Sequence, residues 1–161
     1  MEYLYAPWRD SYVTQGSPTE NCVFCLQAQT TDDARHHIIQ RHNHCFIMLN
    51  LFPYNAGHVM VIPYKHTAVL YELNPEELHE IMEVVTLSTK ILKQFLKADG
   101  FNIGANLGGK AAGGSIADHL HMHVIPRWHG DTSFLTTTGE IKPISVDLEG
   151  MYKNLYQAFR G

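Results

Sequence analysis

The segment Ala117–Trp128, ADHLHMHVIPRW, sets a histidine at every second position (His119, His121 and His123), with Leu120, Met122 and Val124 completing the alternation. That period belongs to a β-strand, whose successive side chains point to opposite faces. One face is apolar and needs a core under a helix; the other carries three imidazoles and needs a cleft. A histidine on a strand is held rigidly, which suits catalysis. Imidazole becomes a nucleophile toward phosphorus once another group fixes its tautomer. Alternating histidines can also chelate a metal or merely decorate an amphipathic strand. The loop directly upstream, GGKAAGGS (108–115), favours the first reading. Backbone N–H groups of such a loop can cradle a phosphate, with the Ser115 hydroxyl and the Lys110 charge beside it. The loop lacks the Gly-Lys-Ser/Thr ending of the phosphate-binding loop of nucleoside triphosphatases.

The remaining elements are read from periodicity and punctuation. HCFIMLNLFP, from His44, is a buried strand ending at Pro53, and HVMVIPYKH, 58–66, is a second one ending at Pro63. The YNAGH turn between them, with Asn55 and Gly57, makes an antiparallel hairpin. The stretch from Asn74 to Gly100 is the clearest helix. Asn74 caps it, Pro75 suits its first position and Glu77 completes a capping box. Leu78, Ile81, Met82, Val85, Leu92 and Phe95 form its apolar stripe, and Gly100 is its expected stop. FNIGANLG (101–108) is a short strand, 119–126 a strand, 127–146 a loop, and the segment from Asp147 a terminal helix. Residues 1–35 are expected to be irregular, and 35–44 to form an exposed strand edge or turn. The sum is an α+β domain with an antiparallel sheet.

The chain has 161 residues, 45% of them hydrophobic, which suits one domain with its own core. Its net charge is −4 and it has no lysine or arginine block, so long nucleic acid is excluded as a partner while a single nucleotide is not. No apolar run spans a bilayer and the first residues do not form a signal peptide, so a cytoplasmic protein is expected. Three cysteines make no disulfide framework. Cys22-x-x-Cys25 reads as a metal-binding or redox pair, and Cys45 as a buried core thiol.

His119-Leu120-His121-Met122-His123-Val124-Ile125 resembles the signature of the histidine triad (HIT) superfamily. The hairpin NLFPYNAGHVMVIPYKH, the GGS before the triad and PRWHGD after it resemble that family too. The likeness covers about residues 20–135 of a single domain, 1–161, and comes nearest to the bacterial diadenosine tetraphosphate phosphorylase-like branch. It implies the HIT-like fold, a central antiparallel sheet with a long helix and a C-terminal helix packed on it, as a homodimer. It also implies cleavage of dinucleoside polyphosphates at the α-phosphate, with phosphate or water as acceptor. His121 would be the nucleophile, with His123 and His58 assisting. Asn50 would bind the ribose, and Asn106, Gly114, Ser115 and His123 the phosphates. Phe46, Leu51 and Ile62 are candidates to sandwich the base, with no preference between adenine and guanine. Cys22, Cys25, His66 and His119 would hold a structural zinc. The rival activities are phosphoramidate hydrolysis and nucleotide sensing without catalysis. Asn50, where Asp is the alternative, and Ser115, where the phosphoramidate branch has glutamine, favour the polyphosphate reading. Lys65 and Arg127 are candidate partners of distal phosphates.

Overall fold

A computed structural model describes residues 22–132, 134–139, 142, 144 and 146–161. The expectation of irregular chain over residues 1–21 lies outside the described residues. Among the described residues the strands are β1 (Ile38–Arg41), β2 (Cys45–Leu49), β3 (Val59–Pro63), β4 (Gly100–Gly104) and β5 (Met122–Arg127). They form one sheet in the order β1-β2-β3-β5-β4, with every neighbouring pair antiparallel. The helices are α1 (Val23–Gln29), α2 (Pro75–Leu96), α3 (Phe134–Gly139) and α4 (Leu148–Ala158). None of them is long and apolar enough to cross a membrane.

The expected hairpin is β2–β3, paired in continuous register from Cys45↔Pro63 to Leu49↔Val59. Both strands are buried on both faces, which is why they read as unbroken apolar runs. Cys45, Ile47, Leu49, Val59 and Val61 face α2 and α4, where Ile81, Val84, Val85, Leu92, Tyr152 and Leu155 close the main core. Phe46, Met48, Met60 and Ile62 face the other way and pack with Cys22 and Phe24 of the α1 region. Gly57 joins the strands at φ +71, a left-handed conformation that favours glycine, and a Cβ there would press on the tip of Leu96. The Tyr152 hydroxyl donates to the Ile38 carbonyl at 3.2 Å, and Arg160 donates to that of Ile39 at 2.9 Å, seating α4 on β1.

The capping box of α2 is present: the Glu77 N–H donates to Asn74 Oδ1, and the Asn74 N–H to Glu77 Oε2, both at 2.8 Å. The helix ends differently from expectation. Lys97, not Gly100, takes the left-handed cap position (φ 55), and Gly100 instead opens β4. Two residues of the expected stripe, Met82 (52% exposed) and Phe95 (45%), face outward, and Val84 and Ser88 are buried in the helix interface. The Ser88 hydroxyl is satisfied by the Val84 carbonyl at 2.8 Å. The segment 35–44 does form an edge strand, but Ile38 and Ile39 are fully buried rather than exposed. Residues 23–29, expected to be irregular, are helical, and so are 134–139 within the expected loop.

Candidate active site

β5 begins at Met122, so only His123 of the three histidines lies on the regular strand. The ladder with β3 ends at the pair Val61↔Met122. Alternation persists all the same. Leu120 and Val124 sit in the core against α2, with Met122 packed beside them, and the histidines turn to the opposite side. There they separate into two groups, one lining a cleft and one closing a cluster of sulfur and nitrogen atoms.

The cleft is lined by His121, His123, Asn50, Gly114 and Ser115 together with Phe24, Gln27, Met48, Leu51, Phe52, Tyr54, Met60 and Ile116. His121 Nδ1 lies 2.8 Å from the His119 carbonyl. Only a protonated Nδ1 can donate there, so Nε2 is left with its lone pair. A second chain of bonds fixes His123. The Tyr54 N–H donates to His58 Nδ1 at 3.1 Å, which puts the His58 proton on Nε2. That proton is donated to His123 Nδ1 at 2.9 Å. His123 therefore carries its own proton on Nε2, as a donor. Asn50 Oδ1 accepts from the Phe52 N–H at 2.9 Å, which orients its amino group toward His58. Two tautomers thus emerge from backbone contacts: a base at His121 and a donor at His123.

Burial keeps these rings neutral. It pushes the His121 pKa down, a shift the bond to the His119 carbonyl opposes. His123 falls to about 4 and His58 to about 3, in each case through burial first and neighbouring imidazoles second. For His58 the folded pKa lies below the unfolded value of 6.5. As pH falls through 6.5 the unfolded chain binds a proton that the fold excludes, so stability is lost with falling pH until about 3. Replacing His58 with asparagine is expected to flatten the fall in unfolding free energy between pH 5.5 and 4.5 by about 1.4 kcal/mol per pH unit. Urea unfolding of both proteins across that range measures this; parallel curves would refute a neutral buried His58.

The second group is Cys22, Cys25, His66 and His119, whose ligand atoms all lie within 4.8 Å of one another. His119 Nε2 donates to the Pro63 carbonyl at 2.9 Å, which turns the Nδ1 lone pair toward the cysteines. His119 Nδ1 is 3.3 Å from Cys22 Sγ, 3.5 Å from Cys25 Sγ and 3.3 Å from His66 Nδ1, and Cys25 Sγ is 3.3 Å from His66 Nδ1. Tetrahedral bonds of zinc length to two sulfurs and two nitrogens set edges of roughly 3.3–3.8 Å. The spacing fits a metal ion. Burial and the adjacent Cys22 thiol push Cys25 up to about 11, a cost that a bound cation would reverse.

Other expectations fare differently. Phe46 and Ile62 are fully buried in the core and do not line the cleft; Phe24, Met48, Met60 and Phe52 take that place beside Leu51. Asn106 is not a lining residue, but it lies against Gly114, where a Cβ would stand 3.0 Å from its Nδ2. Arg127 is committed to Asp131 and to Asn102, and Asn55 bonds Asp131 as well, so these residues lock the end of the sheet rather than face a phosphate. Lys65 bonds the Glu72 carbonyl. Cys45 is a buried thiol, as expected. Phe24 and Gln27 are absent from the sequence reading. Both lie on α1, Phe24 between the paired cysteines and Gln27 two residues beyond them, and no pattern marks either as a cleft residue.

A sheet that ends in alternating histidines, two facing a cleft and one a cluster that could hold a metal ion, defines a histidine triad protein. The model of the HIT domain matches residues 31–130, and the chain belongs to this family. An AP-4-A phosphorylase of Mycobacterium tuberculosis is 34% identical over 151 residues, covering 89% of this chain and 77% of that protein. A bis(5'-nucleosyl)-tetraphosphatase (asymmetrical) of Schizosaccharomyces pombe is 35% identical over 85 residues, 53% of this chain and 46% of that protein. Among solved structures, a Zn-bound histidine triad protein from Mycobacterium smegmatis superposes with a TM-score of 0.71 at 31% identity, covering 89% of this chain and 96% of that one.

Proposed function

We propose that this protein, a single domain over 1–161, is a cytoplasmic enzyme that cleaves dinucleoside polyphosphates of the diadenosine tetraphosphate type. The observation that carries the reading is the tautomer of His121: its proton is committed to the His119 carbonyl, and its free lone pair belongs to the ring that lines the cleft. Nε2 attacks the α-phosphorus, a P–N bond forms, and the P–O bond to the departing polyphosphate breaks. The oxygen of phosphate or water then attacks the same phosphorus and releases the imidazole. Splitting one displacement into two is ordinary covalent catalysis. His123, as the donor ring beside it, stabilises charge on the phosphoryl oxygens, and His58 positions His123. Gly114 and Ser115 offer a backbone N–H and a hydroxyl to the phosphates, Asn106 supports Gly114, and Asn50 offers its amide to the ribose. The M. tuberculosis and S. pombe relatives are named for such substrates, which supports the reading.

The metal of the Cys22, Cys25, His66 and His119 cluster is zinc in this proposal, with a structural role. The donor set and its spacing suit zinc, and the M. smegmatis neighbour is described as Zn-bound. Zinc would supply four bonds tying α1 to the segment that carries His121. The working form is a homodimer, with β4 as the edge to be paired: Asn102, Ile103 and Gly104 on it are exposed, with Leu107 just beyond. Its mass in solution is the direct check.

The reading is tested by incubating the protein with diadenosine tetraphosphate, with and without inorganic phosphate, and separating the products. ATP and ADP that form only with phosphate are the expected result, given the likeness to a phosphorylase. ATP and AMP without phosphate would make water the acceptor. No turnover under either condition would refute the polyphosphate reading and favour phosphoramidate substrates.

A further inference from the structure

Gln27 lines the cleft with part of its side chain unpartnered among the described residues. It is 7% exposed, and its Oε1 is buried with no hydrogen-bond partner among the described residues. Leaving a buried carbonyl unpaired is costly, and native proteins rarely do so without a reason. Phe24, Met48 and Met60, which line the same cleft, are all apolar and cannot pair it. Its place is also fixed. Arg41 donates to the backbone carbonyls of Gln27 at 3.1 Å, Ala28 at 2.9 Å and Thr30 at 2.9 Å, closing the C-terminal end of α1. Cys22 and Cys25, at the other end, meet His66 and His119 in the candidate metal cluster. Phe24 stands with its ring 5.2 Å from that of His121. Gln27, three residues on, shares that helical face one turn further along. The cleft therefore has histidines and, on a helix whose backbone is held at both ends, a lining glutamine whose buried carbonyl is unsatisfied.

We propose that Gln27 reads the base of the bound nucleotide and selects adenine over guanine. The inference rests on the proposal that the cleft takes a nucleotide. A carboxamide presents an acceptor and a donor side by side. Adenine matches it with the N6 amino group as donor and N7 as acceptor. With its side chain turned toward the cleft, Oε1 receives N6–H and is no longer unpaired, while Nε2–H bonds N7. Guanine presents O6 and N7 on the same edge, two acceptors, and leaves Oε1 unpaired. The apolar walls hold any purine; the amide discriminates, because a site built to hydrogen-bond one group rejects an analogue that lacks it.

Calorimetric titration of the metal-loaded protein with AMP and with GMP tests this, in the wild type and in Gln27→Met and Gln27→Ala. The wild type is expected to favour AMP by about tenfold or more, the scale of one good bidentate pair. Gln27→Met is expected to bring the two nucleotides within roughly twofold by weakening AMP while sparing GMP. Its melting temperature should not fall, because an unpaired carbonyl has been removed. Gln27→Ala should show the same loss of preference, with GMP binding reporting that the cleft is intact. Equal binding of AMP and GMP by the wild type would overturn the role of Gln27 while leaving a nucleotide cleft in place. So would a preference that survives both substitutions, or loss of both nucleotides in both variants, which would mark a purely structural residue. Binding of neither nucleotide by the wild type would overturn the inference together with the proposed function.

Discussion

Replacing His121 with asparagine is expected to reduce turnover of diadenosine tetraphosphate by at least about a thousandfold, the scale seen when the nucleophile of a covalent mechanism is removed. Asparagine can still donate to the His119 carbonyl, so the local chain should keep its course. His121 is not in the metal-binding cluster, and bound metal should stay at the wild-type level. His123→Asn is expected to cost less, about a hundredfold, because it removes a donor and not the bond-forming atom. The pair of measurements separates two chemistries. Activity lost with metal retained fits a nucleophilic His121. Joint loss of activity and metal on His121→Asn would mean that the histidines hold a reactive metal, and would contradict the tautomer argument.

The second large effect concerns the cluster. α1 has only seven residues, too few to persist alone. It is held by the packing of Phe24, by Arg41 at one end and by Cys22 and Cys25 at the other. With free zinc a thousandfold above its Kd, binding contributes about 4 kcal/mol to stability. In a chain of this size that corresponds to a melting temperature about 10 °C higher. Chelation, or Cys25→Ser, is expected to lower the melting temperature by about that much. It is also expected to weaken nucleotide binding, since α1 carries Phe24 and Gln27 into the cleft. A chelated protein that melts and binds as before would show that the four side chains meet without holding a metal that matters to the fold.

The sheet was legible because its signals are local. Alternation around 119–126 and apolar runs punctuated by proline depend on neighbours in sequence, as does the capping box at Asn74, although β2 stops at Leu49, short of Pro53, and the regular strand of the triad starts only at Met122. The helix stop at Lys97 was not legible, because a lysine in a left-handed position carries no signature and Gly100 offered a more obvious one. The outward faces of Met82 and Phe95 were hidden for a related reason: a stripe drawn at helical period is wider than the face a sheet can cover. The site divides the same way. His121 and His123 announce themselves in a pattern, His58 became readable only through resemblance, and the structure brings the three side chains together. The candidate metal ligands became readable through resemblance, since the cysteines and histidines come from segments far apart in the chain. Phe24 and Gln27 escaped because nothing in the sequence says which face of a short helix covers the lower side of a sheet. Phe46 and Ile62 were misread as base contacts because apolar strand residues look alike whether they floor a cleft or lie beneath it.

The central claim is that His121 carries the nucleotide during the reaction. The most direct measurement is to mix the protein with diadenosine tetraphosphate, quench with denaturant during turnover, and map the modified peptide by mass spectrometry. A single adenylyl group on the peptide carrying His121, absent from His121→Asn and cleared when phosphate is added, is the result this account requires. An adenylyl group on another residue, or full turnover by His121→Asn with no adduct, would contradict it.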